Sequence, residues 1–522
     1  MEKCMNWWPK DFCRLIGTVV SGSRASLVPI RISRDSIDFV RDEMLGIIDD
    51  VTEAKRYLGI FKSSVKKDLA LDASTLPSSF EPEKTHMYSA PMMMSYLEII
   101  GEITCRGIEQ NLSIPRPGSY VYAVIDGEAL RSILKIENGL LVGVHKFSSM
   151  VIHLNPSSLR YHIAVLGATG TGKSRLVKGI IEEIIKVTNY SVIVFDHTGI
   201  DYVDKSRWSI NYIEVVDVSK VILDPDVVAQ ILLEDLGISE YHGDYIYGSI
   251  VEYIRRVVEK QNKVTIQENS RGQNYISSHT SRYDLETLIS IYKHLSREGR
   301  FTWSFSEYLE SLYSYIRSMG GKEYTIEKIR LLLTTRVGKK FFETYLNNRT
   351  IDVEEIVSRL FSSRKKVVIV DLSSEMEYIA KKNIVYQFMK YIWDRIVSDK
   401  LHRDNEIIAV IDEAHNYCCT YGCEPAKGMI ARVAREGRKW GFGLILSSQR
   451  VIDLAPEIRG NINTVFFSRL QSSGDYAELK NWLENVQYIE YTLPTLASRE
   501  FFFTGLGNPL RRPILVRVKD VS

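Results

Sequence analysis

The stretch GATGTGKS at residues 167–174 constrains this chain more than any other. An apolar run, YHIAVLG, leads into it. A run with apolar residues at 176, 180, 181, 184 and 185, RLVKGIIEEIIKV, leaves it. The first reads as a buried strand and the second as a helix. A turn of the form G-x-x-x-x-G-K-[ST] in that setting is a phosphate-binding loop. Its glycines let backbone N–H groups turn inward, and the helix N-terminus adds the positive end of its dipole. Gly167, Gly170, Thr171 and Gly172 would line the cradle, Lys173 would reach the β- and γ-phosphates, and Ser174 would bind Mg²⁺. A chance glycine turn would lack these flanks.

Further apolar strands follow: SVIVFD (191–196), KVVIVDLSS (366–374), EIIAVIDEA (406–414) and GFGLILSSQ (441–449). Such runs alternating with helices indicate a parallel sheet covered on both faces. The series breaks between about 225 and 350. There GSIVEYIRRVVEK presents one helical face, NKVTIQENSRGQNYISSHTSRYD reads as a loop, and SLYSYIR and IEKIRLLLTTR read as helices. Upstream, LIGTVVSGS, LVPIRIS, GEITCRGI, SYVYAVI and LVGVHKF are short strands among turn residues, with helical stretches expected between 34 and 75. The expected class is α/β: a RecA-like P-loop ATPase core with a mainly helical insertion, preceded by a small β-barrel domain. The boundaries expected are 1–150 for the barrel, 151–224 and 351–505 for the core, 225–350 for the insertion and 506–522 for a tail.

A chain of 522 residues exceeds one compact core. Its net charge of +2 gives no global pull toward nucleic acid, so any basic surface must be local. No 18-residue apolar run suggests a membrane span, and the start MEKCMNWWPKDFCRLIG does not read as a signal peptide. Six cysteines make no disulfide framework and suit a reducing compartment. A soluble, cytoplasmic protein is expected.

VIDEAHN (410–416) ends a buried strand with two acids. Asp412 would hold Mg²⁺ through water, and Glu413 would polarise an attacking water. Adjacent acids alone fit a solvated turn equally well; sharing a sheet with a P-loop makes them a hydrolysis site. The DEAH spelling does not indicate a two-domain helicase, because only one P-loop unit is visible, and His415 reads as structural or as a link to a DNA-sensing surface. No N-K-x-D guanine reader occurs (NKVT at 262 lacks the aspartate), so ATP is expected over GTP, and no LSGGQ-type signature occurs. In AREGRKWGFGLILSSQR (434–450), Gln449 ends the strand as a γ-phosphate sensor. Arg435, Arg438 and Lys439 crowd the opposite end. An arginine there, Arg438 ahead of Arg435, is placed to reach a neighbouring subunit's ATP; a basic helix end favoured by the helix dipole is the alternative. His415, Cys418, Cys419 and Cys423 share one short loop. Zinc usually draws on two separated knuckles, so thiols are the preferred reading.

Together these residues resemble the HerA family of hexameric DNA-translocating ATPases, within the FtsK–HerA group. The resemblance rests on RYHIAVLGATGTGKS, FDHTGIDY, VIDEAHN, REGRKWGFGL and SSQR. It implies Walker A roles for Lys173 and Ser174, Walker B roles for Asp412 and Glu413, a sensor in Gln449 and a trans-acting finger in Arg438. It also implies a place near the active site for Asp196. Two departures stand out: Val451 follows Ser-Gln-Arg where the family has proline, and Tyr161 precedes His162 where the family has a basic residue, with Arg160 one place earlier. The implied function is a hexameric ATP- and Mg²⁺-dependent motor on double-stranded DNA, acting with a NurA-like nuclease in end resection and needing no membrane. A motor for DNA transfer or viral packaging, or an ATP-dependent scaffold, are the alternatives. Arg336, Lys339 and Lys340 in TTRVGKKFF are candidate pore contacts to phosphates, or else a solvated helix end.

Overall fold

The computed structural model describes residues 9–68, 91–237, 243–269, 284–362, 366–375, 377–398, 406–484 and 486–519. Near the N-terminus lie β1 (Cys13–Val19), β2 (Leu27–Ile32), β3 (Leu45–Asp50) and β4 (Lys55–Lys67). They are followed by β5 (Met92–Thr104), β6 (Gly107–Glu109) and β7 (Tyr120–Val124). Their order is β2-β1-β7-β3-β4-β5, and β2 pairs again with β5, closing a six-stranded barrel with β6 appended to β5. Closure removes the unpaired edges that an open sheet would expose.

The helical stretches expected between 34 and 75 are not there. Residues 34–36 make one 3-10 turn, β3 and β4 fill 45–67, and 69–75 lie outside the described residues. The charged residues that mimic a helix surface are instead paired on the barrel's outer face, where they are buried. Lys62 Nζ lies 2.6 Å from Glu43 Oε2 with both side chains fully buried, and Arg56 pairs across the strands with Asp49 at 3.1 Å. Burial pushes the Glu43 carboxyl up to about 7 against the pull of Lys62.

The second sheet has eleven strands. It comprises β8 (Leu140–His145), β9 (Val151–Leu154), β10 (Ile163–Leu166), β11 (Ser191–Asp196) and β12 (Ile213–Asp217). It continues with β13 (Val367–Asp371), β14 (Ile407–Ile411), β15 (Phe442–Ser448), β16 (Thr464–Phe467), β17 (Glu500–Gly505) and β18 (Ile514–Val518). The order is β12-β13-β11-β14-β15-β10-β16-β17-β18-β8-β9. Pairings from β12 to β16 are parallel and those from β16 to β9 antiparallel. The parallel part is the expected P-loop core.

Two expected boundaries fail here. LVGVHKF belongs to β8 of this sheet rather than to the barrel. Residues 506–522 are no tail either, because β18 pairs with β17 and with β8, setting Val516 opposite His145. A strand whose partner lies at the other end of the chain carries no local sign of which sheet it joins. The two units also share a core, in which Phe12, Leu45, Ile47 and Leu58 of the barrel side cluster with Leu140, Ile163, Val165, Leu176 and Phe503.

The insertion contains helices Pro225–Leu236, Gly243–Asn269, Leu285–Arg297, Phe305–Ser318 and Glu323–Leu332. Helix Gly243–Asn269 runs into the segment expected to be a loop from 262, and 270–283 lie outside the described residues. Aromatic stacking builds its interior: Tyr253 lies 5.1 Å from Trp303 and Tyr308 4.6 Å from Phe342.

Candidate nucleotide site

The P-loop springs from the middle of the parallel sheet. Gly167 N–H donates to Ser448 O at 3.2 Å, and Ala168 N–H donates to Arg469 O at 2.7 Å, so the strands on both sides hold its first residues. Gly170 (φ 78°) and Gly172 (φ 96°) are left-handed, a conformation that side chains resist, and Gly172 caps helix Lys173–Val187. Thr171 is buried, and its hydroxyl donates to Ala168 O at 2.8 Å, so that hydroxyl shapes the loop. A brace comes from the segment before β17: Arg499 N–H donates to Thr171 O (2.8 Å) and Ser498 Oγ donates to Gly170 O (3.0 Å). No sequence signal marks that brace. Lys173 Nζ donates to the carbonyls of Gly167 (2.8 Å) and Ala168 (3.3 Å). Burial pulls its ammonium below the ordinary range, while Glu413, Asp412 and Asp201 act in the opposite direction.

Parallel register sets Phe195 opposite Ile411 and Ile411 opposite Leu446, and it sets Leu166 opposite Ser448. The carboxyl ends of β10, β11, β14 and β15 therefore open on one crevice, where ligands bind in sheets of this type. Asp412 is buried there, and its carboxyl is pushed up to about 8, by burial first and then by Glu413, Asp196 and Asp201. Glu413 sits at φ 46°, a conformation costly for a residue with a side chain and one that clusters at functional sites. Gln449 Nε2 donates to Glu413 Oε1 at 2.5 Å, and Thr169 Oγ1 donates to Gln449 Oε1 at 2.7 Å. Thr169 of the P-loop, Gln449 and Glu413 thus form one chain of hydrogen bonds. The other oxygen, Glu413 Oε2, is buried without a hydrogen bond; His415 Nδ1 lies 3.3 Å away but outside bonding geometry.

Asp196 enters the site differently from what was expected. Its buried carboxylate accepts backbone N–H groups of Thr198 (3.2 Å), Gly199 (3.0 Å) and Tyr202 (3.1 Å), which commits it to bracing the loop after β11. That loop delivers Asp201, whose Oδ2 accepts the Ser174 hydroxyl at 2.6 Å. Asp201 was missed as a site residue, although FDHTGIDY sets it five places after Asp196. Among the described residues no three His, Cys, Asp or Glu side chains make a protein-only metal cage. Mg²⁺ keeps water and phosphate ligands and needs no such cage, so the Ser174 hydroxyl and Asp412 suit it. The raised Asp412 and the unbonded Glu413 oxygen mark a carboxylate excess that a divalent cation would relieve.

Arg438 lies in the 3-10 turn Gly437–Trp440, before β15, whereas Gln449 lies just past its end. Seven residues of strand separate them by roughly 20 Å. Arg438 is therefore remote from its own P-loop. Arg435 sits near enough to Glu457 to help lower its carboxyl, after Lys427, while Lys439 is exposed. The thiol reading of the cysteine loop needs correction. Cys419 and Cys423 form a disulfide with Cα atoms 5.5 Å apart, because the chain reverses between Asn416 and helix Ala426–Glu436. Cys418 is a buried free thiol, pushed up by burial. Of the candidate pore residues, Arg336 donates to Leu236 O at 2.8 Å within the insertion, and Lys339 pairs with Glu343 at 3.6 Å on the surface.

A family model described as "Helicase HerA, central domain" matches residues 137–392, starting just before β8. A "DNA double-strand break repair helicase HerA" from Pyrococcus furiosus is 25% identical over 467 residues, covering 83% of this chain and 77% of that protein. Its namesake from Saccharolobus solfataricus is 24% identical over 331 residues, covering 62% of this chain and 57% of the relative. The chain thus matches little more than half the length of the latter. VirB4 of Thermoanaerobacter pseudethanolicus is similar in structure at a TM-score of 0.46 and 14% identity, covering 74% of this chain and 97% of that one.

Proposed function

The chain belongs to the HerA family, and on that footing we propose that it is a ring-forming ATPase that drives itself along double-stranded DNA. The observation that carries this reading is the chain Thr169–Gln449–Glu413, which ties the phosphate loop to a base with one uncommitted oxygen. A binding-only scaffold has no use for a prepared base.

In this reading Lys173 leaves its loop carbonyls and neutralises β/γ-phosphate charge. Ser174 and Asp412 would hold Mg²⁺, which would supply positive charge against the negative charge of the phosphates. Asp201 keeps the Ser174 hydroxyl oriented by taking its proton as a hydrogen bond. Glu413 Oε2 accepts a proton from the attacking water, while Oε1 stays tied to Gln449. Once the γ-phosphate is gone, Thr169 and Gln449 change their relation, and the sensor reports the change to β15. Arg438 of one subunit completes the neighbour's site, a contribution worth about 10³–10⁵ in rate where such fingers operate. A hexamer and a NurA-like nuclease partner are part of the proposal, as is a role in end resection for recombinational repair. The barrel, which contributes none of these site residues, is the part assigned to docking.

ATP hydrolysis with and without duplex DNA, together with the native mass of the protein with ATP, tests this directly. Stimulation by duplex of any sequence, from a multi-subunit species, is expected. Affinity should fall steeply with salt, with a slope of about −0.9 per phosphate neutralised. A monomer with DNA-independent turnover overturns the reading.

A further inference from the structure

Among the basic residues at this helix end, Arg438 stands out for what it rests on, since Arg435 and Lys439 also form no ion pair among the described residues. Arg432 pairs with Glu436 and Arg450 with Asp453, whereas Arg438 forms no ion pair among the described residues. Its guanidinium carbon lies instead 4.2 Å from the centroid of the Tyr161 ring. A guanidinium stacked by its face keeps its in-plane N–H donors free for an anion beyond its edge.

The backbone that carries the ring is itself well held. Asn463 N–H donates to Tyr161 O at 3.0 Å, which ties this residue to the start of β16. The next residue, His162, is fully buried at φ 62° and joins three elements. Its Nδ1 accepts the Leu444 N–H of β15 at 3.1 Å, so Nε2 carries the proton and donates to Ala434 O at 3.0 Å. Ala434 is in the last turn of the helix that leads directly into Gly437–Trp440. The backbone that carries Arg438 and the backbone that carries Tyr161 are thus fixed to each other through one imidazole.

We propose that Tyr161, the residue standing where a basic side chain was expected, is a positioning residue that presents Arg438 edge-on to the phosphates of the neighbouring subunit's ATP, with His162 as the mount for both. This rests on the trans role of Arg438 proposed above. A flexible arginine with no carboxylate partner would sample many rotamers; the ring selects one and does so without quenching the charge. Tyr161 touches neither substrate nor water in this scheme and acts only through Arg438.

The test compares Tyr161→Leu, Tyr161→Phe, Arg438→Ala and the Tyr161→Leu/Arg438→Ala double variant in full-length rings, with kcat, KM for ATP, native mass and Tm measured on each. Tyr161→Phe keeps the ring face and should match wild type. Tyr161→Leu should lower kcat about 3- to 30-fold, the range expected for losing a cation–π contact. Its KM for ATP should be unchanged. The double variant should be no slower than Arg438→Ala alone, since nothing remains to be positioned. Mixing Tyr161→Leu with Lys173→Ala subunits should restore turnover above the average of the two, because the intact arginine comes from the Lys173→Ala subunit. If Arg438→Ala lowers kcat but Tyr161→Leu does not, or if the double variant loses additively, the positioning role is wrong. If Arg438→Ala itself keeps full kcat, the trans reading fails first, and that outcome is separable from the other two.

Discussion

Gln449 holds Glu413: the amide nitrogen that ends β15 donates to one oxygen of the carboxylate that follows β14, at 2.5 Å. Two neighbouring parallel strands therefore deliver the proposed sensor and the proposed base as a unit. The contact fixes the amide orientation as well, because Gln449 Oε1 accepts from Thr169 of the P-loop.

That unit has separable functions. Glu413→Gln should bind ATP with wild-type affinity and lower kcat by about 10²–10⁴, the range for losing a general base. Gln449→Ala should bind ATP too, but lose the stimulation of turnover by duplex DNA more than the basal rate. ATP affinity by calorimetry beside single-turnover hydrolysis distinguishes the two. A Glu413→Gln protein that hydrolyses ATP at the normal rate sinks the assignment of the base.

Asp201 makes a second prediction. It accepts the Ser174 hydroxyl at 2.6 Å, so Asp201→Asn offers an amide that can present either its oxygen or its N–H₂ to that hydroxyl and carries no charge. Mn²⁺ affinity in the presence of a non-hydrolysable ATP analogue, read by electron paramagnetic resonance, should weaken about tenfold, since hydrogen bonds to charged groups contribute about 1.5–3 kcal/mol. ATP binding without metal should change little. Equal Mn²⁺ affinity in both proteins would show that Asp201 does not serve the metal side of the site.

The positions of the proposed site residues were legible because each follows an apolar strand. Lys173, Ser174, Asp412, Glu413 and Gln449 follow runs whose burial on both faces is written in their composition. Asp196 was legible only as an acid near the site, because the sequence does not show that three backbone N–H groups converge on its carboxylate. The barrel strands β3 and β4 were illegible for a different reason. The outer face of β4 is buried too, with Lys62 paired to Glu43 beside the Phe502 ring, and this removes the alternation that marks a half-buried strand. The places of β8 and β18 depend on pairing between distant parts of the chain, which no local pattern records.

That distant pairing overturns an attractive cut. Removing residues 1–150 would delete β8, leaving β9 without a partner and β18 paired on one side only, with β17. It would also expose Ile163, Val165 and Phe503, which the barrel side of the shared cluster covers. Such a fragment should be insoluble or melt well below the intact chain. A fragment beginning at residue 127 keeps β8 and should be the more soluble of the two. Differential scanning fluorimetry on both checks this, and a stable, soluble fragment starting at 151 would count against the shared sheet.

His162 gives a prediction in pH. Burial pulls its imidazole down to about 4, against the weaker upward effect of its bond to Ala434 O. An unfolded histidine titrates near 6.5. The folded state therefore holds His162 neutral while the unfolded state takes up a proton between pH 6.5 and 4. The stabilisation from this residue is fully present above pH 6.5 and is lost as pH falls toward 4, by on the order of 2 kcal/mol between pH 7.5 and 4.5. Glu43, pushed up to about 7, and Asp412, pushed up to about 8, work in the opposite sense, since the folded state takes their protons first. His145, also pulled down to about 4, works in the same sense as His162. Wild-type stability alone therefore mixes all four. The difference between wild type and His162→Asn isolates the one of interest, because asparagine does not titrate and tolerates a positive φ. His162→Asn should melt well below wild type at pH 7.5, and the gap should narrow markedly at pH 4.5. A gap that stays constant across this range would mean that His162 is not held neutral between Leu444 and Ala434.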